Sequence, residues 1–313
     1  MVTERVEYLL RRAGFGVTPA EAAVLASRGL EAVVDGLLAA GDEPEEIAPP
    51  DLAKEPYSPE KLADIQAYWL HRMITTRRPL VEKMTLFWHG HFATGVKKAK
   101  PVLMQRQNEL LRRHALGAFP ALLRAVGKDP AMLLWLDGHG STRKAPNENY
   151  AREVMELFTT GPGPYTETDV REAARAFTGW RVDETGEAQF VPKRWDPGVK
   201  TVLGRTGAFG ADEIAAILAE RPETARFLAA KLWRFFASPT PVDDVVQQMA
   251  SAYAASGGQV RPMLRVLFLS DAFYAAGPLV KSPVELVAGT LRLCGLPATR
   301  DAAWWATRMG QTL

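Results

Sequence analysis

Apolar residues recur at helical spacing along almost the whole chain. In "TERVEYLLRRAGFG" Val6, Leu9 and Leu10 share one face, and Gly14 ends the run. "TPAEAAVLASRG" predicts a second helix with Thr18 as N-cap, Pro19 in the first turn and Glu21 closing a capping box. "GLEAVVDGLLAA" is a third, short helix. "GDEPEEIAPPDLAKEPYSPE" is proline-rich and aperiodic, and reads as a surface loop or strap.

Longer helices follow. "SPEKLADIQAYWLHRMITT" offers Ser58 as cap and Pro59 behind it, and "RPLVEKMTLFWHGHF" begins at Pro79 and ends near Gly90. "KPVLMQRQNELLRRHAL" and "AFPALLRAVGKDPAMLLWLDGHG" come next. "NENYAREVMELFTTG" and "YTETDVREAARAFTGW" form a helix pair joined by "GPGP", with Thr166 and Asp169 as a second capping pattern. Residues 181–210 differ: β-branched residues and turns replace the helical period, which predicts an irregular or β-hairpin insertion. Helices return in "GADEIAAILAERPETARFLAAKLWRFF", "PVDDVVQQMASAYAAS", "QVRPMLRVLFLSDAFYAA" and "SPVELVAGTLRLCGL". No fixed-period repeat argues for a solenoid. The expected fold is mainly α, a globular multi-helix bundle in one domain over residues 1–313, made of helical parts at 1–180 and 211–313 with the insertion between them.

Composition changes this picture little. A hydrophobic fraction of 47% and a charged fraction of 24% are ordinary for a globular protein. A net charge of +2, from 38 basic and 36 acidic side chains, supplies no global field for nucleic acid. No run is long and apolar enough to suggest a membrane span. The N-terminus carries charges at once and lacks the apolar core of a signal peptide, so the chain as given reads as cytoplasmic. The single cysteine, Cys294, cannot form an internal disulfide and excludes a Cys-rich zinc site. Beside the apolar run "LVAGTLRLCGL" it is expected to act as a small buried hydrophobe.

The segment "PNENYAREVMELF" concentrates chemistry. On a helix from Asn147, residues Asn149, Arg152, Glu153 and Glu156 fall on one face, and Tyr150, Val154, Leu157 and Phe158 on an apolar stripe. Two readings stand. The polar stripe is a solvated face with Glu148–Arg152 and Arg152–Glu156 ion pairs, or it holds a divalent cation or a proton shared between acids. The tight link to the next helix, with Asp169, Glu172 and Arg175, lets carboxylates of both arms converge. The Glu-x-x-His pairs of a di-iron bundle are missing, which argues against that centre.

His89 and His91 in "WHGHF" form a second feature. Side by side on a helix they point apart; in a turn at Gly90 they lie on one side. A structural reading has His89 at the helix C-terminus and His91 on the surface or in the core; the functional one is metal, haem or acid–base chemistry. His139 sits in the glycine turn "DGHGS", and His71 and His114 read as structural. Ser141 lacks a nucleophile-elbow pattern, and no phosphate loop or dinucleotide fingerprint is present. The basic cluster "VKKAK" is a solvated face or an anion contact.

The blocks "LLRRAGFG", "FWHGHFATG", "QNELLRRHALG", "DPAMLLWLDG", "PNENYAREVMELFTTGPGPYTETDVREAARAFTGW", "GVKTVLG", "ARFLAAKLWRFF" and "LVKSPVELV" run in order across nearly the whole chain. Together they resemble the bacterial family of unknown function DUF1800. The resemblance implies a large helical bacterial protein, in a family whose members are often exported and often encoded beside a sulfatase-like family, DUF1501. It marks His89, His91, Asn147, Glu148, Asn149, Arg152, Glu153, Glu156, Thr166, Asp169, Arg175 and Trp180 as the suggestive positions. Two departures stand out. Trp195 precedes Asp196 where relatives often carry histidine, and "MGQTL" resembles the start of a block that continues further in the family, so the chain reads as truncated there. Two functions follow as expectations. One is an enzyme whose carboxylate–histidine site (Glu153, Glu156, Arg152, Asn149, His89, His91) binds a divalent metal or does acid–base work. The other is a non-catalytic scaffold or accessory partner of the sulfatase-like protein.

Overall fold

The computed structural model describes residues 2–41, 45–52 and 55–313. Helices α1 (Val2–Ala13), α2 (Pro19–Ala26), α3 (Leu30–Ala39), α4 (Leu62–Thr75), α5 (Pro79–His91), α6 (Pro101–Arg113), α7 (Phe119–Gly127), α8 (Pro130–Trp135), α9 (Glu148–Glu153) and α10 (Glu167–Ala176) lead to the insertion. It contains two antiparallel hairpins, β1 (Trp180–Val182) with β2 (Ala188–Phe190) and β3 (Lys200–Val202) with β4 (Arg205–Gly207). Then come α11 (Ala211–Ala219), α12 (Pro222–Phe236), α13 (Asp243–Ala255), α14 (Val260–Leu269), α15 (Asp271–Ala275), α16 (Pro283–Cys294) and α17 (Arg300–Arg308). The mainly helical class and the hairpin insertion are as expected. Asp42, Glu43, Pro44, Ala53 and Lys54 of the proline-rich strap lie outside the described residues.

Local chemistry accounts for most boundaries. Thr18 and Glu21 form the expected capping box, as do Thr166 with Asp169 and Ser282 with Glu285. Ser58 does not cap α4, which begins later, at Leu62. The cause is Asp64, whose carboxylate accepts the Ser58 amide at 3.0 Å and an Arg300 N–H at 2.6 Å. The stretch from Phe119 to Trp135 is two helices because Asp129 caps α8, accepting the Met132 amide at 2.9 Å.

The chain folds as two compact units. The first comprises Met1–Phe87, Leu232–Val245 and Leu264–Leu313. Its α4, α16 and α17 bury Trp69, Leu70, Met73, Val284 and Ala303 together with Phe15, each large side chain contributing about 1.5–3 kcal/mol. Charge is buried there too. Arg72 donates to Glu82 at 2.9 Å, and the fully buried Lys83 pairs with Glu285. Cys294 is exposed, contrary to expectation, because the last turn of α16 carries it away from that core.

The second unit comprises Trp88–Lys231 and Val246–Met263. Its centre is a stack of Trp88, Phe92 and Phe119, with the Trp88 indole N–H donating to the Ala115 carbonyl at 2.9 Å. Helix α10 packs on α9 and on β3, so the insertion is part of this unit.

Candidate functional site

Asn147 starts the central segment. Its side-chain oxygen accepts the Tyr150 amide at 3.0 Å and its NH2 donates to the Leu136 carbonyl at 2.9 Å, so it is a helix cap. After Glu153 the helix widens into a π-helical stretch, Val154–Thr159. The Thr160 amide donates to the Met155 carbonyl, five residues back, at 2.9 Å, and the Thr159 and Thr160 hydroxyls also turn onto carbonyls of this turn. Gly161 ends it at φ +75°, a conformation that favours glycine, and a Cβ there would fall 3.1 Å from the Phe227 ring. The widened turn shifts every later side chain. Leu157, expected on the buried stripe, is therefore 48% exposed, while Tyr150, Val154 and Phe158 are buried.

Helix α5 continues through Gly90, so no turn brings His89 and His91 together. His91 points inward, edge-on to Trp88 and Phe92. Its Nε2–H donates to the Phe158 carbonyl at 3.0 Å, a tautomer assigned from that bond. Burial holds the imidazole well below its ordinary pKa, and the Lys231 charge lowers it further. His89 is half-buried on another face, and burial pushes it down to about 4.

A cavity of about 550 Å³ lies in this unit. His91, Glu153, Glu156 and Lys231 line it with Trp135 and Phe227 among its aromatic walls. Trp135 is seated against Gly95, where an added Cβ would fall 3.3 Å from the indole. Lys231 reaches toward the Leu157 carbonyl and sits 4.9 Å over the Phe227 ring. Glu156 is oriented by the Tyr165 hydroxyl, which donates to it at 2.8 Å. Burial, then that hydrogen bond, pushes the phenol up to about 12. Glu153 has no hydrogen-bond or ion-pair partner among the described residues.

The other expected site residues lie elsewhere. Asn149 is exposed and lines no part of the cavity. Arg152 pairs with neither Glu148 nor Glu156. It makes a bidentate pair with Glu167 of α10, at 2.8 and 2.6 Å, because the hairpin brings that carboxylate across from it. On the second arm the charges serve the insertion rather than the cavity. Asp169 accepts the Leu203 amide at 2.7 Å, fixing a residue at φ +50°, and Arg175 grips Asp196 at 2.7 and 3.2 Å. Lys200, beneath Trp195, donates to the carbonyls of Asp196 and Gly198. Trp195 is thus a packing residue here. His139 bonds the Leu133 carbonyl at 3.2 Å. Among the described residues no three His, Cys, Asp or Glu side chains form a set able to hold a metal ion.

Sequence reasoning missed Lys231, Trp135 and Phe227. Lys231 alone left a trace, as a single cation within the apolar run "FLAAKLW". Among the described residues no helix is long and apolar enough to cross a membrane.

No curated protein and no solved structure matches the chain. One family model, described as a protein of unknown function (DUF1800), matches residues 8–313. With essentially its whole length matched, the chain belongs to the DUF1800 family.

Proposed function

We propose that the chain is an enzyme that performs acid–base chemistry on a small molecule held in the cavity of His91, Glu153, Glu156 and Lys231. The observation that carries this reading is Glu153. Its carboxylate borders an open cavity of small-molecule size and is unengaged, while Arg152, Asp169 and Arg175 are taken up by structural partners outside the cavity. In this reading Glu153 is the base, and Tyr165 keeps Glu156 oriented. Lys231 attracts a negatively charged group of the substrate, and Trp135 and Phe227 pack its apolar part. His91 is neutral and acts as a hydrogen-bonded wall rather than as an acid.

A pure scaffold reading requires these polar blocks to close on each other with no space beside Glu153; the cavity weighs against it. The test is retention of a ligand. The protein is equilibrated with a soluble bacterial small-molecule extract, desalted and examined by mass spectrometry. Wild type retains a compound that Lys231→Met loses at unchanged melting temperature. Equal retention by both proteins, or none by either, counts against the reading.

A further inference from the structure

The first unit contains a second cavity, of about 650 Å³, walled by α1, α2 and α3 with the start of α5. Its body is apolar: Leu10, Val24, Leu25, Val33, Leu37 and Leu80 line it. Val24 is 64% exposed, an apolar side chain left open to solvent on this wall. Four arginines, Arg28, Arg77, Arg78 and Arg292, stand against this apolar body.

Glu21 and Glu45, two acids near this wall, have their carboxylates committed to other groups. Glu21 lines the cavity, but its carboxylate is committed to the Thr18 amide and hydroxyl, at 2.9 and 2.8 Å. Glu45 is likewise committed to the Thr76 hydroxyl and the Arg77 amide. Arg292 is tethered by the Ile74 carbonyl at 2.9 Å and the Thr76 carbonyl at 3.2 Å. The guanidinium groups of Arg28 and Arg77 have no hydrogen-bond or ion-pair partner among the described residues. Gly36, in the middle of α3, also lines the space, and a Cβ placed there meets no atom within 4 Å.

We propose that this cavity binds a single-chain amphiphile with an anionic head group, its tail on the leucine and valine floor and its head on Arg28 and Arg77. The lining disfavours two other classes of occupant. A cation is repelled by the arginines, and a fully polar anion gains nothing from the floor. A planar, doubly hydrogen-bonding cation such as arginine matches a carboxylate or a phosphate equally well, and both head groups are within the proposal.

The test uses the fluorescent fatty acid cis-parinaric acid with the full chain. Binding is expected to be saturable and to be competed by oleate or by oleoyl lysophosphatidic acid, the tighter of the two identifying the head group. Oleyl alcohol, which has the same tail without charge, should compete roughly tenfold less well. Arg28→Ala with Arg77→Ala should weaken binding by a similar factor. Gly36→Leu, at a helical position with room for the side chain, should abolish it while the protein stays folded. Three results overturn the proposal: no saturable binding, equal competition by oleyl alcohol and both anionic lipids, or unchanged binding in Gly36→Leu.

Discussion

Glu285→Gln is expected to lower the stability of the protein by about 3–5 kcal/mol, a large loss for the removal of one charge. Lys83 is the reason. It is fully buried, pairs with Glu285, and lies 5.5 and 5.4 Å from the Phe15 and Phe235 rings. Burial pushes the Lys83 pKa down, while the Lys83 charge and the Ser282 hydrogen bonds hold Glu285 below the usual carboxylate range despite its own burial. Glutamine keeps the capping contact to Ser282 and removes only the charge, which leaves an ammonium uncompensated in an apolar site. Adding Lys83→Met should restore most of the loss, because an ion pair replaced on both sides is nearly neutral. Urea unfolding of the two variants checks this. A loss under about 1 kcal/mol in the single variant would show that water reaches the pair.

The second large effect is acid lability. His91 is buried in the neutral form, with its folded pKa well below the ordinary value of 6.5. Below that value the unfolded chain takes up a proton that the folded one refuses, so stability falls as pH falls. His89 adds to the loss down to about pH 4. Asp129 acts in the opposite sense. Burial raises it to about 6, so between its ordinary 3.8 and that value the folded state holds the extra proton and stability rises as pH falls. His71 and His114, also lowered by burial, act in the same direction as His91 and His89, so a net loss of stability is expected as the pH falls below about 6.5. His91→Gln keeps a donor for the Phe158 carbonyl and cannot titrate. Unfolding free energies measured across that range should show a flatter slope for the variant. Parallel slopes would mean that His91 is protonated in the folded protein as easily as in the unfolded one.

How much of this was legible in the sequence depended on how local the cause was. Capping boxes at Thr18 and Thr166 are written within four residues, and the structure has both. The loss of helical period after Trp180 did mark the insertion. Where long-range contacts decide, the reading failed. Asp64 recruits Ser58 and Arg300 and delays α4, and Arg152 chooses Glu167 over its helical neighbours. The π-helical turn mattered most at the site. A constant helical period places Leu157 with Phe158 on the buried stripe; the widened turn separates them. Of the six expected site residues, His91, Glu153 and Glu156 line the cavity, and His89, Asn149 and Arg152 do not. Lys231 joins the first three from far along the chain, a separation no local pattern spans.

In the proposed reading Glu153 is a base in an open, small-molecule cavity. The most direct test of that reading is turnover. The purified protein is incubated with a bacterial small-molecule extract, and the mixture is followed over time by mass spectrometry. Wild type should consume a compound and form a product, and Glu153→Gln, folded and equally stable, should do so about 10²–10⁴ times more slowly. No time-dependent change with wild type, or the same rate with Glu153→Gln, would contradict it.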